Sequence, residues 1–170
     1  MSDEIWKTLT KKQKENCRSV YALYLILHNA YHGELPKGVS REYWSSKIIS
    51  ALAAQPYINL PKKKEVLYTC RISKSALNSG ESVNEHRYPR KAWLSWRLFK
   101  PKNPVSFDEF MRLYWAEGGS YHKTTSQENR QLKTYYQDKS DTAIQDGGTA
   151  AYKKCGIVLV DDPSISKEEE

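Results

Sequence analysis

The sequence predicts an α+β protein, with a helical N-terminal segment over residues 1–60 and a mixed domain over residues 61–170. Two observations carry this. Apolar residues recur at helical spacing as far as about residue 54. From Glu65 the pattern changes to β-branched and aromatic runs broken by turn residues. The chain has 170 residues, of which 39% are hydrophobic and 12% aromatic. That is enough to bury the core of one domain, or of one domain with an appendage.

Taken in order, residues 2–32 read as helical, with Leu23, Ile26, Leu27, Ala30 and Tyr31 on one face. Gly33 and Pro36 stop that pattern. Ser40 caps a second helix over 41–54, which carries Trp44, Ile48, Ile49 and Leu52. Gln55-Pro56 ends it, and PKKK at 61–64 reads as a linker or the lead into a strand. EVLYTCRIS is a strand, NSGES at 78–82 a turn and SVNEHRY a second short strand closed by Pro89. RKAWLSWRLF reads as a short helix, broken by Pro101 and Pro104. Ser106 caps FDEFMRLYWAEGG, with Glu109 at the capping-box position and Gly118-Gly119 as the stop. Thr125, with Glu128 three residues on, caps a helix over 126–137. QDKSDTAIQDGGTA reads as a loop, CGIVLVDD as a buried strand or apolar tail, and SKEEE as a frayed end.

The formal net charge is +7 and the sequence pI about 9.2. Such a balance suits a polyanionic partner, nucleic acid or an acidic membrane face, although a solvated basic surface gives the same numbers. Cys17, Cys70 and Cys155 are widely spaced with no C-x-x-C pair, which argues against a zinc ribbon and for reduced thiols. The opening MSDEIWKTLTKK has no apolar leader-type run, and no stretch reaches membrane-span length. The expectation is therefore a cytoplasmic protein. No glycine-rich phosphate loop, nucleophile elbow or dinucleotide fingerprint is found.

One pair of motifs carries chemistry. SVNEHRYPRK places an acid directly before a histidine, Glu85-His86, and TTSQENRQL places Asn129 in the first turn of a helix. Histidine titrates near neutrality and suits a general base. Oxygen ligands from Glu and Asn suit a hard cation such as Mg²⁺ or Mn²⁺. The order strand, turn, strand, helix resembles the ββα-metal core of HNH endonucleases, over residues 65–137. The resemblance rests on NEHRYPRK and on TTSQENRQL. It implies that His86 activates water, that Glu85 and Asn129 hold the metal, and that DNA is the substrate. The sequence departs from the family pattern in having Glu where Asp is commoner, and in lacking zinc-binding cysteines. The interval from His86 to Asn129 is also long and requires an inserted helix. Successive strand residues face opposite ways, so Glu85 and His86 reach one site only if the strand bends there.

Residues 87–102 interleave Arg87, Arg90, Lys91, Arg97, Lys100 and Lys102 with Trp93 and Trp96, a candidate phosphate-contacting patch. Core tryptophans with cations solvating the other face give the same pattern. His28 and His32, four apart on a helix, read as surface or interface residues rather than zinc ligands. His122 reads as an ordinary loop histidine, with a phosphate contact as the sharper alternative. The functional expectation is a Mg²⁺- or Mn²⁺-dependent DNA endonuclease of a bacterium or of a phage-infected cell, of restriction, homing or nicking type. The rivals are a non-catalytic nucleic-acid-binding module using the basic aromatic patch, and an interaction protein whose N-terminal helices bind a partner or a second copy.

Overall fold

The computed structural model describes residues 3–55, 67–138 and 149–165. The linker expected at 61–64, most of the loop at 137–150 and the frayed end lie outside them. The protein is α+β, with eight helices and a four-stranded sheet among the described residues. It divides into two compact units, Met1–Lys63 with Arg90–Gly119, and Lys64–Pro89 with Ser120–Glu170. The inserted segment between the two chemical motifs thus belongs to the first unit, not to a continuous domain over 61–170.

The first unit is helical. α1 (Asp3–Thr8) is separated from α2 (Lys11–His32) at Thr10, where a single helix was expected. The cause is local chemistry: Thr10 accepts from the Gln13 amide, and the Gln13 side chain accepts from the Thr10 amide at 2.8 Å. α2 buries Cys17, Tyr24 and His28, a stripe at helical spacing. α3 (Arg41–Ala53) starts at Ser40, whose hydroxyl accepts from the Tyr43 amide. α5 (Arg90–Leu94) widens into a π-helical turn over Ser95–Phe99, and α6 (Phe107–Phe110) into another over Met111–Glu117. Tyr24 stacks on Phe110 at 4.9 Å, and Phe110 on Tyr114 at 5.0 Å. Gly118 ends this run where a Cβ would lie 2.9 Å from two carbonyl oxygens and 3.0 Å from the Trp93 ring. His28 and His32 turn out to bond carbonyls near the end of the α5 run. Both reach Pro101 O at 3.0 Å, and His32 also reaches Phe99 O at 2.9 Å. They close a helix C-terminus, as basic rings do.

The second unit is a mixed sheet in the order β2-β3-β1-β4. β1 (Tyr68–Ser73) runs parallel to β3 (Tyr121–Thr124) and antiparallel to β4 (Leu159–Asp161). β2 (Val83–His86) pairs antiparallel with β3. This corrects the sequence reading in one respect. The two strands taken as the ββ pair, EVLYTCRIS and SVNEHRY, are not neighbours; β3 lies between them. β3 is hard to read from the sequence because YHKT is only four residues long and begins one residue after the Gly-Gly stop. Its pattern, half-buried then buried twice over, is set by neighbours on both sides. Ser73 caps α4 (Lys74–Ser79) by accepting from the Ala76 amide, and Gly80 ends it at φ 73°. The β1–β3 register shifts between Tyr68 and Ile72, with Cys70 at φ 57° within the bulge.

α7 (Ser126–Asp138) and α8 (Thr149–Lys154) cover one face of the sheet. Leu132, Ala151, Tyr152 and Ile157 form the core there, with Tyr135, Tyr136, Cys155 and Leu159 packed against it. The start of α7 is fixed by a reciprocal capping box. Glu128 accepts from the Thr125 amide at 2.8 Å, and Thr125 Oγ1 accepts from the Glu128 amide at 3.1 Å. Glu128 also accepts from Ser73 Oγ at 2.6 Å, which ties the helix to the end of β1. These bonds outweigh burial and hold its carboxyl below the usual range. On the other face Asp162 accepts from Tyr68 and Lys123, both at 2.7 Å, and anchors the end of β4.

Glu128→Ala leaves a buried Ser73 hydroxyl and the Thr125 amide without their acceptor. The expected cost is about 2 kcal/mol in denaturant unfolding. A loss under ~0.5 kcal/mol would show that this cap does not hold α7.

Candidate functional site

β2 presents Glu85 opposite His122 of β3, and His86 opposite Tyr121. Alternation therefore puts Glu85 and His122 on the helix-covered face and His86 on the other. The register is unbroken to the end of the strand, so the bend that would bring Glu85 and His86 together does not occur before His86. The chain leaves the ladder immediately after it. The Arg87 amide donates to Ser120 O at 2.9 Å, and Arg87 and Tyr88 form a bend before Pro89.

Glu85 is partly buried against α7. Burial pushes its carboxyl up to about 7, although the nearby Lys133 ammonium opposes the rise. Lys133 lies one turn beyond Asn129, and Tyr136 a further turn along the same stripe of α7. The negative charge of Glu85 in turn raises the phenols of Tyr136 and Tyr152, after burial as the larger cause. Asn129 Oδ1 and the hydroxyls of Tyr136 and Tyr152 are buried and make no hydrogen bond among the described residues. Orphaned polar atoms of this kind cost free energy unless something else fills their valence. Two of them, the phenols of Tyr136 and Tyr152, lie close enough to Glu85 to feel its charge. Asn129 stands one turn before Lys133 on α7, the helix against which Glu85 is buried.

His122 is an additional member of this face, and a strand residue rather than a loop one. It is 7% exposed, hydrogen-bonded to Thr69 Oγ1 through Nδ1, and edge-on to Tyr152 at 5.4 Å. Burial, and then the charges of Arg87 and Arg71, push its imidazole down to about 4. It is neutral at physiological pH. Its signal in the sequence was alternation with Thr124, readable only once β3 was recognised.

The basic patch is divided between the two units. Arg87 belongs to the second. Arg90, in the first, donates to Gln55 O and Tyr114 Oη, both at 2.8 Å, and so helps hold α3 to α6. Trp93 is core and donates to Leu113 O at 2.8 Å. Arg97 lies over Trp93 and Trp96 at 5.6 and 5.0 Å. Lys91, Lys100 and Lys102 are exposed. A hollow of about 880 Å³ between α4 and α7 contains none of Glu85, His86 and Asn129.

No family model, curated protein or solved structure matches this chain. Among the described residues no helix is long and apolar enough to cross a membrane.

The raised carboxyl of Glu85 yields a stability prediction. The unfolded chain releases this proton near 4.5 and the folded one near 7. Between those values the native state holds the extra proton, so stability falls as pH rises through the window and stays lowered above it. At about 1.4 kcal/mol per unit the loss is about 3 kcal/mol. Glu85→Gln, in metal-free buffer, should remove most of this decline, measured by urea unfolding at pH values either side of the window. Parallel pH profiles for the two proteins would refute the burial of Glu85.

Proposed function

We propose that the chain is a divalent-cation-dependent endonuclease that hydrolyses DNA phosphodiester bonds, with its site in the second unit. The observation that carries this is that the desolvated Glu85 carboxylate feels Lys133 of α7, one turn beyond Asn129, whose Oδ1 is buried and unpartnered among the described residues. The order β2, β3, α7 supports it as well, since it supplies two antiparallel strands and a helix with the acid-histidine pair on the first strand and the asparagine on the helix. The HNH resemblance takes EVLYTCRIS and SVNEHRY as the strand pair; β2 and β3 fill that place here, with Arg90–Gly119 inserted between them.

Glu85 and Asn129 fit a hard cation in donor type. Both offer oxygen, one of them already stripped of competing hydrogen bonds. Among the described residues no group of three or more His, Cys, Asp or Glu side chains comes together. The two oxygens would therefore be completed by water and by substrate phosphate, as is usual for Mg²⁺. When bound, the cation would stabilise charge on the phosphorane and on the leaving oxygen. Glu85 has to give up its proton to serve, so activity should rise with pH through the neutral range.

His86 is the base this reading assigns to the attacking water. Alternation sets it on the face opposite Glu85 and Asn129, so the role requires the substrate phosphate to lie across the end of β2, where the chain turns and both faces are within reach. His122 shares the face of Glu85 but is held so far below neutrality that it accepts a proton poorly at physiological pH. The exposed Lys91, Lys100 and Lys102 of the first unit, with Arg97, are proposed to hold strand phosphates.

His86→Ala should lower cleavage of supercoiled plasmid by about 10²-fold or more while gel-shift affinity is retained. His122→Ala serves as the control, since a dead His122→Ala beside an active His86→Ala would move the base to the other histidine. Asn129→Ala should weaken Mn²⁺ binding, read by paramagnetic resonance, on the order of tenfold; equal affinity in the two proteins would remove Asn129 from the ligand set. Neutralising Lys91 and Lys100 should weaken binding to all sequences alike and lower the slope of log K against log salt by about one unit per lost contact. An unchanged slope would return the patch to a solvated helix face.

A further inference from the structure

Beside the Glu85–Asn129 face the second unit has a hollow of about 640 Å³ whose charged lining is wholly cationic. Arg71 of β1, Arg87 after β2 and Lys153 of α8 line it, with Thr69, His122 and Tyr152 as walls. Among the described residues no carboxylate lines it. Arg71 has one acidic neighbour, Asp161 at 3.6 Å, whose side chain is 97% exposed and so screens little. Arg87 makes no hydrogen bond or ion pair to a carboxylate among the described residues; its side chain rests on the Tyr88 ring at 5.2 Å. Arg71 is held in place by donating to Leu159 O at 2.9 Å. Its one exposed ion pair leaves three cations around one hollow with little to offset their mutual repulsion.

The second observation is the Tyr152 hydroxyl. Tyr152 is 3% exposed and lines the hollow, and its oxygen has no hydrogen-bond partner among the described residues. Its burial beside Glu85 keeps the phenol protonated, so it is an unused donor. His122 is locked to Thr69 and forms a fixed neutral wall. Cations at the rim, and in the wall a phenol with a free donor that also feels Arg87, are what a phosphate oxygen requires.

We propose that this hollow is a phosphate-binding site, with Arg71, Arg87 and Lys153 supplying charge and Tyr152 Oη a hydrogen bond, and that the phosphate belongs to a nucleic-acid strand. Only the identity of the phosphate's owner rests on the nuclease reading; the site itself stands on its lining. Tyr152 and His122 lie between the hollow and Glu85, so a phosphate held here would sit beside the one at the cation ligands. The hollow would then fix the strand's position along the site, as a positioning contact rather than a reacting one.

The test uses the full chain in EDTA, so that no cleavage intervenes. Inorganic phosphate and a short DNA duplex are titrated separately into wild type, Arg71→Gln/Lys153→Gln and Tyr152→Phe, with thermal unfolding confirming that each variant folds. The expected results are competition between phosphate and duplex on wild type, at least a tenfold loss of duplex affinity in the double variant, and a severalfold loss in Tyr152→Phe. Tyr152→Phe removes only one oxygen and keeps the packing, so it remains informative if the double variant is unstable. Phosphate binding that depends on these residues, with duplex affinity unchanged, would overturn the strand assignment and make this a site for free phosphate or a phosphomonoester. Equal affinities for both probes in all three proteins would overturn the site altogether. Failure of the nuclease reading looks different: wild type would bind phosphate here, yet cleave nothing when Mg²⁺ is supplied.

Discussion

The pairing of β3 on both its edges is the constraint on which the second unit depends. Tyr121–Thr124 is hydrogen-bonded to β2 on one side and to β1 on the other, in opposite senses. It sets Glu85 opposite His122, and brings Thr69 of β1 to the same imidazole. It also delivers the chain to Thr125, where the cap of α7 begins. A slip of one residue would turn Glu85 and His122 to the other face and exchange them for Asn84 and Tyr121. The Glu128 bonds to Ser73 and Thr125 then hold α7 in phase with that register, so that Asn129, Lys133 and Tyr136 line up over β2.

The chemical residues on the helix-covered face are mutually under-satisfied. Glu85 has lost water and gained only the opposing charge of the Lys133 ammonium. Asn129, Tyr136 and Tyr152 carry polar atoms that the described residues do not satisfy. A fold that needed only stability would fill such positions with apolar side chains, because unsatisfied buried polar atoms each cost on the order of 1–3 kcal/mol. Clusters of this kind are where ligands and perturbed titrations concentrate. Tyr24 of the first unit is as buried as Tyr152, yet its hydroxyl both donates to Leu98 O and accepts from the Val105 amide. Trp115 Nε1 and Arg97 Nε in that unit have no hydrogen-bond partner among the described residues.

Much of the local structure was legible because it depends on neighbours in sequence. Ser40, Ser106 and Thr125 each cap the helix that the residue type and spacing announced. The break at Thr10 is equally local, a reciprocal Thr10–Gln13 cap inside a segment whose apolar spacing reads as one helix. What could not be read was set by partners distant in the chain. β3 takes its conformation from two flanking strands. His28 and His32 find their acceptors about seventy residues away, at Phe99 and Pro101. Arg90, counted among the phosphate contacts, is drawn into the fold by Gln55 and Tyr114, which composition could not foretell. The acid-histidine pair and the helix asparagine were visible as motifs, while the opposite facing of Glu85 and His86 follows from where the strand ends. His122 was noticed but misplaced, since its role depends on the missed strand.

The most direct measurement is cleavage of supercoiled plasmid by the purified chain in Mg²⁺, in Mn²⁺ and after exhaustive EDTA treatment, with binding to the same plasmid followed in parallel. The expected result is nicked or linear product with either cation and none with EDTA, at comparable binding. Tight binding without cleavage in either cation would contradict hydrolysis and leave a nucleic-acid-binding protein. Undiminished cleavage in EDTA would contradict the role given to Glu85 and Asn129.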